Sequence, residues 1–338
     1  MQPAFDIEAF TPSPLWLSAH AQTILANSLR STDGVRFHRL RLDTQDGDFI
    51  DLDFASVAGI HLAPSAPLVL LLHGLEGSAR RSYACETYRQ LARRGVRAVG
   101  MNFRSCSGEM NRTQGLYHAG KTDDVALVVK WLHGRWPHVR LGAAGFSLGA
   151  NMLLKYLGEN GANTPLDGAA VVSPPFDLER ASEVFENGTG RRYGARFLSS
   201  LQAKALVHAR RNGGGLNVDR ILNVQSMREF DNAFTAPVHG FRDAADYYNQ
   251  VSSKYYLDGI RVNTLVIRAM DDPMFANDIP HALLAANPAI FPALTPYGGH
   301  VAFAEGSRPR HFRYWAERQA ARFLAGTLNN DYQPSGLA

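Results

Sequence analysis

The sequence predicts an α/β fold: a mostly parallel central sheet flanked by helices, with a helical segment inserted after the sixth strand. Three observations carry this. Short, nearly all-apolar runs alternate with stretches of helical period, the pattern of strands covered on both faces and joined by right-handed crossovers. The alternation stops between residues 174 and 260, where aromatic and charged residues follow helical spacing instead. A chain of 338 residues that is 45% hydrophobic holds enough apolar material for a large core.

Taken in order, the first residues, MQPAFDIEAFTPSPLWLSAHAQTIL, lack a basic start followed by an apolar run, so no signal peptide is expected. FHRLRLDT (37–44) and DFIDLDFASV (48–57) alternate apolar with polar around Gly47 and read as an antiparallel pair. Five runs then read as buried strands: LVLLLHG (68–74), VRAVGMNF (96–103), VRLGAAGF (139–146), LDGAAVVS (166–173) and NTLVIRAM (263–270). Helices are expected at 80–95, 121–136, from 148 onward, and over RPRHFRYWAERQAARFLAG (308–326). ARRNGGGLNVDR (209–220) reads as a loop between two helices of the insertion. The expected organisation is an N-terminal segment (1–35) packed on a core (36–173 and 261–326), a helical cap (174–260) and a flexible C-terminal tail (327–338).

Charge excludes some functions. The net charge of +4 comes from 35 basic and 31 acidic residues spread along the chain, with no basic run interleaved with aromatics, so no nucleic-acid partner is expected. Membrane contact is expected to be peripheral at most, since the longest apolar runs fall far short of the ~18 residues of a spanning helix. Cys85 and Cys106 lack the spacing of a zinc or redox site and read as reduced thiols, in keeping with a cytoplasmic location.

Chemistry concentrates in GAAGFSLGANMLLKYLGEN, where Ser147 sits between Gly145 and Gly149. Composition alone yields one such GxSxG pattern in about one chain in six. The context is more telling: the serine follows a strand and opens a helix, so a sharp turn would project its hydroxyl into a cleft, with glycines where side chains would collide. A serine hydroxyl needs a base and an acid that orients it. Both follow in the order typical of such turns. AMDDPMFAN places Asp271 and Asp272 at the end of a strand, and TPYGGHVAF places His300 in a glycine-rich loop. Asp272, just beyond the strand, is favoured over Asp271. The amide of Leu75, after the strand ending in LLLHGLEGS, and the amide of Leu148 are candidates to hold an oxyanion. His73 reads as structural. His118 and Asp123 match an HxxxxD pattern that 12 histidines and 31 acids produce about once by chance, and this segment is expected to support its loop.

LLHGLEGS, MNFRSCSGEMNR, YHAGKTDDV, GFSLGANMLLKYLGE, FDNAFTAPVHGFRDAADYY, DDPM and GGHVAF occur in the order found in the YheT-like branch of the α/β-hydrolases, which the chain resembles over nearly its whole length. That branch includes eukaryotic α/β-hydrolase-domain lipases and yeast medium-chain fatty acid ethyl ester synthases/esterases. The resemblance implies an α/β-hydrolase fold and puts the charge relay on Ser147, Asp272 and His300. Eukaryotic relatives typically carry an N-terminal membrane anchor, and none is expected here. Many relatives have Gly at the position of Ser105.

The expected function is therefore a serine esterase or lipase-like enzyme, needing no cofactor or metal, acting through an acyl-enzyme on short- to medium-chain esters or acylglycerols. The insertion carries Phe176, Phe185, Tyr193, Phe197, Phe230, Phe234, Phe241, Tyr247, Tyr248, Tyr255 and Tyr256; some are expected to line an apolar acyl site and most to pack the cap helices together. The alternatives are transfer of the acyl group to an alcohol and a non-catalytic lipid-binding scaffold. A dinucleotide site fails for want of GxGxxG, and Gly213 to Gly215 are not followed by the Lys-Ser/Thr of a phosphate loop.

Overall fold

Strands β1 (Val35–Asp43) and β2 (Phe49–Val57) form the expected antiparallel pair, in register from Val35 opposite Val57 to Asp43 opposite Phe49. The computed structural model describes residues 5–14, 18–113, 115–212, 216–275, 277–307 and 312–329. β1 is mostly half-buried or exposed, as an edge strand should be, whereas β3 (Leu68–Leu72), β5 (Leu141–Phe146), β6 (Gly168–Val172) and β7 (Thr264–Ala269) are buried throughout. With β4 (Arg97–Asn102) and β8 (Ile290–Thr295) they form one eight-stranded sheet in the order β1-β2-β4-β3-β5-β6-β7-β8. It is parallel from β4 to β8.

Because side chains alternate across a strand, each apolar run feeds two cores. Leu70 and Leu72 of β3, Ala143 of β5 and Val171 of β6 face helices Thr122–Arg135 and Leu148–Asn160. Val69, Leu71, Ala144 and Val172 face helices Ser82–Ala92 and Trp315–Leu328, which bring Tyr88, Leu91, Phe323 and Leu324. This explains why these strands read as continuous apolar runs rather than as alternating ones.

Strand β8 went unpredicted because Pro292 interrupts its pattern. At the sheet edge only one side of the strand is paired, so the missing N–H is tolerated. A small antiparallel ladder joins β9 (Ala304–Glu305) to β10 (Arg313–Tyr314). It takes residues expected to be helical, so the last helix starts at Trp315 rather than at 308 and runs to Leu328. Residues 308–311, and 330–338 of the expected tail, lie outside the described residues.

Between β6 and β7 the chain is helical. Helices Leu178–Glu186, Val218–Leu222, Met227–Phe230 and Ala244–Val251 each begin with a side-chain cap, from Asp177, Asn217, Ser226 and Asp243 respectively. The longest helix, Gly190–Asn212, extends into the stretch expected to be a loop, and Val218 begins the next helix. The intervening residues 213–215 lie outside the described residues. Among the described residues, no helix is long and apolar enough to cross a membrane.

Candidate active site

The turn after β5 is tight. Ser147 has φ 52° and ψ −119°, a conformation that costs a non-glycine residue about 1–3 kcal/mol and persists only where its surroundings impose it. Here the Ser147 N–H donates to the Val172 carbonyl at 2.9 Å, and its own carbonyl accepts from Ala150 and Asn151 at 2.9 and 3.1 Å. A Cβ on Gly145 would lie 2.7 Å from the Gly149 carbonyl oxygen, the collision expected from the sequence. Gly149 has a different reason: its Cβ would meet the carbonyl oxygens of His73 and Leu72 at 2.4 and 2.5 Å, where β3 ends. A Cβ on Gly74 would come within 3.1 Å of the Ser147 Cβ, so glycine lets the loop after β3 lie against the serine.

His300 Nε2 lies 2.9 Å from Ser147 Oγ, and its Nδ1 lies 2.8 Å from Asp272 Oδ2. Asp272 follows β7, is buried, and also accepts from the Met274 N–H at 2.9 Å and from the Arg268 guanidinium. Burial alone would raise the Asp272 carboxyl, but Arg268 and then His300 hold it below the ordinary carboxylate value. An ionised Asp272 only accepts hydrogen bonds, so the His300 proton sits on Nδ1 and the Nε2 lone pair faces the serine hydroxyl. Asp271 instead accepts from the Gly299 N–H at 2.9 Å and pins the histidine loop. The structure thus brings Ser147, Asp272 and His300 together and sets Asp271 to a different task.

Several supports escaped sequence reading. The His300 N–H donates to Thr23 Oγ1 at 2.9 Å and the Val301 N–H to Ser173 Oγ at 3.1 Å, holding a loop in which Val301 and Phe303 both have positive φ. Phe275 packs edge-on against the His300 ring at 4.9 Å. Fully buried Arg268 is shared between Asp272 and Asp278, the latter at 2.8 Å. A signal for it existed: a guanidinium inside a buried, mostly apolar strand requires buried counter-charges.

Leu75 and Leu148 both line the cavity at Ser147, on opposite sides of the serine in the chain. His73 is buried, with Nε2 accepting from the Phe103 N–H at 3.1 Å and Nδ1 2.7 Å from the Gly74 carbonyl. Burial pushes it down to about 3, so it is neutral and shapes the loop, as expected. Next to Leu75, Glu76 has φ 52° and accepts from Tyr117 and Lys204 at 2.8 Å each and from Ser200. This ties the loop after β3 to helix Gly190–Asn212. The HxxxxD pair is not a functional unit: His118 lines the cavity, but Asp123 pairs with Lys121 at the surface, 2.6 Å away.

Ser147 opens onto two spaces. One runs beneath the inserted helices and is lined largely by apolar side chains, including Leu148, Leu178, Phe185, Phe197, Phe230 and Phe234. The other is more polar, with Asn27, Arg81, Tyr193, Arg196 and His300 on its walls. Of the remaining aromatics of the insertion, Phe176 is buried in the core and Tyr255 is half exposed.

The family described as alpha/beta hydrolase fold matches residues 67–307. The chain is 36% identical to YheT of Escherichia coli (strain K12) over 321 residues, 94% of each chain. It is 30% identical to phospholipase ABHD3 of Mus musculus over 335 residues, 98% of this chain and 81% of the relative. Among solved structures, the Pyrococcus furiosus esterase Pf2001 superposes with a TM-score of 0.56 over 97% of this chain and 99% of its own; at 15% identity this likeness concerns the fold alone. The chain belongs to the α/β-hydrolase family, in its YheT-like branch, among relatives named as esterases and lipases.

Proposed function

We propose that the protein is a serine carboxylic-ester hydrolase, acting through an acyl-enzyme on short- to medium-chain acyl esters or acylglycerols. The observation that carries this is the relay of Ser147, His300 and Asp272 at the mouth of an apolar cavity. His300 Nε2 takes the Ser147 proton as Oγ attacks the ester carbonyl, and Asp272 stabilises the resulting imidazolium without taking up the proton. The amides of Leu75 and Leu148 receive the oxyanion, with the N-terminus of helix Leu148–Asn160 adding a favourable dipole. His300 then protonates the departing alcohol. Water, deprotonated by the same nitrogen, releases the acid. None of these steps calls for a metal or organic cofactor.

The apolar cavity is assigned to the acyl chain and the polar cleft to the alcohol. Turnover of p-nitrophenyl esters from acetate to palmitate, with wild type and Ser147→Ala at equal concentration, tests the proposal. The expected result is activity peaking at short to medium chains in wild type and lost in the variant. Ester formation in a parallel set containing ethanol would add acyl transfer to the same acyl-enzyme. Unchanged turnover by Ser147→Ala would reject the mechanism.

A further inference from the structure

The acyl cavity is not uniformly apolar, and most of its polar groups have partners. Tyr117 donates to Glu76 at 2.8 Å, Ser182 donates to the Glu179 carbonyl at 2.7 Å, and Tyr248 donates to Asp231 at 2.7 Å. Thr235 also bonds Asp231, and the Tyr247 hydroxyl accepts from the Ala119 N–H at 2.9 Å. His239 differs: it lines the cavity, yet among the described residues its buried Nε2 has no hydrogen-bond partner. Its ring centre is 4.4 Å from that of His118, which lines the same cavity. His118 Nδ1 accepts from the Gly120 N–H at 3.2 Å, which places its proton on Nε2. Phe241 and Tyr247 pack edge-on against the His118 ring and hold it in place.

A buried polar atom left without a partner is costly, so an arrangement that retains one calls for a group that satisfies it. We propose that His118 and His239 form a hydroxyl-binding subsite in the acyl cavity, and that the preferred acyl chain carries a hydroxyl group. The inference rests on the serine-hydrolase reading above. A hydroxyl both donates and accepts, matching two neutral imidazoles. Burial lowers both rings, His239 to about 4, so both are uncharged at neutral pH. A carboxylate or phosphate fits poorly, since no Lys or Arg is among the described residues lining the cavity.

The test is a positional scan at fixed chain length: p-nitrophenyl esters of decanoic acid, unsubstituted and with one hydroxyl at each successive carbon. The readout is the ratio of kcat/KM for the hydroxylated and parent esters within one protein preparation, so a general loss of activity does not move it. At one position the wild-type ratio is expected to exceed about ten, falling to about one in His239→Leu and dropping in His118→Phe. No preference at any position in wild type, as when a water satisfies His239, overturns the subsite. So does a preference that survives both substitutions. Should a variant fail to fold, the wild-type scan still decides. Labelling of Ser147 by a fluorophosphonate without any positional preference rejects the subsite alone, whereas absence of both labelling and turnover rejects the hydrolase reading and the subsite with it.

Discussion

The loops around Ser147 and the helices above them are held by different means. Below, Glu76, Ser147, Ser173, Val301 and Phe303 all carry positive φ, in loops fixed by backbone hydrogen bonds, by side chains that accept from backbone N–H groups and by buried charges. Above, helix Gly190–Asn212 attaches to the loop after β3 through side chains, Ser200 and Lys204 on Glu76, and Lys254 ties Asp177 to the far end of the insertion at 2.6 Å. The proposed nucleophile, Ser147, needs sub-ångström placement and sits on strained, over-determined backbone. The side chains that wall the apolar cavity come in part from capped helices held by side-chain contacts.

That contrast is sharpened by substitutions ordered from largest to smallest expected effect. Ser147→Ala should lower kcat by about 10⁵-fold or more, measured by single-turnover ester hydrolysis. Asp272→Asn, which keeps the shape but no longer fixes the tautomer, should cost about 10⁴-fold in kcat at neutral pH. Arg268→Met leaves Asp272 and Asp278 buried without their shared cation, so urea unfolding should show a loss of about 3–5 kcal/mol. Above the relay, effects shrink. Burial pushes the Asp231 carboxyl up to about 6 from an ordinary 3.8, so folding takes up a proton between about pH 4 and 6 and stability falls as pH rises through that window. Asp231→Asn should flatten that slope by up to about 3 kcal/mol, read from chemical denaturation across the range. Lys204→Met should cost about 1 kcal/mol of stability and raise KM more than it lowers kcat. A kcat loss as large as that of Asp272→Asn would instead make the upper contacts part of the reacting framework.

Legibility followed the same division. Strands β1 to β7, the serine turn and the neighbourhood of Asp272 and His300 could be read because each depends on local pattern: apolar runs, glycines beside the serine, order along the chain. Thr23, Ser173 and Arg268 could not be assigned roles, because each acts across the fold; Thr23 meets His300 from 277 positions away. The backbone at Ser105 is one that favours glycine. Its φ is 62°, and it is held by an N–H bond to Asn111 Oδ1 at 2.5 Å and by the Asn111 N–H on its own Oγ at 3.0 Å. Strand β8 was hidden by Pro292, and the start of the last helix by residues drawn into β10.

The central claim is that Ser147 Oγ is the nucleophile. Its most direct test is intact-mass analysis and peptide mapping after treatment with a fluorophosphonate. The account predicts a single adduct on the peptide containing Ser147, formed in wild type and absent in Ser147→Ala. An adduct on another residue, or equal labelling of the variant, would contradict it.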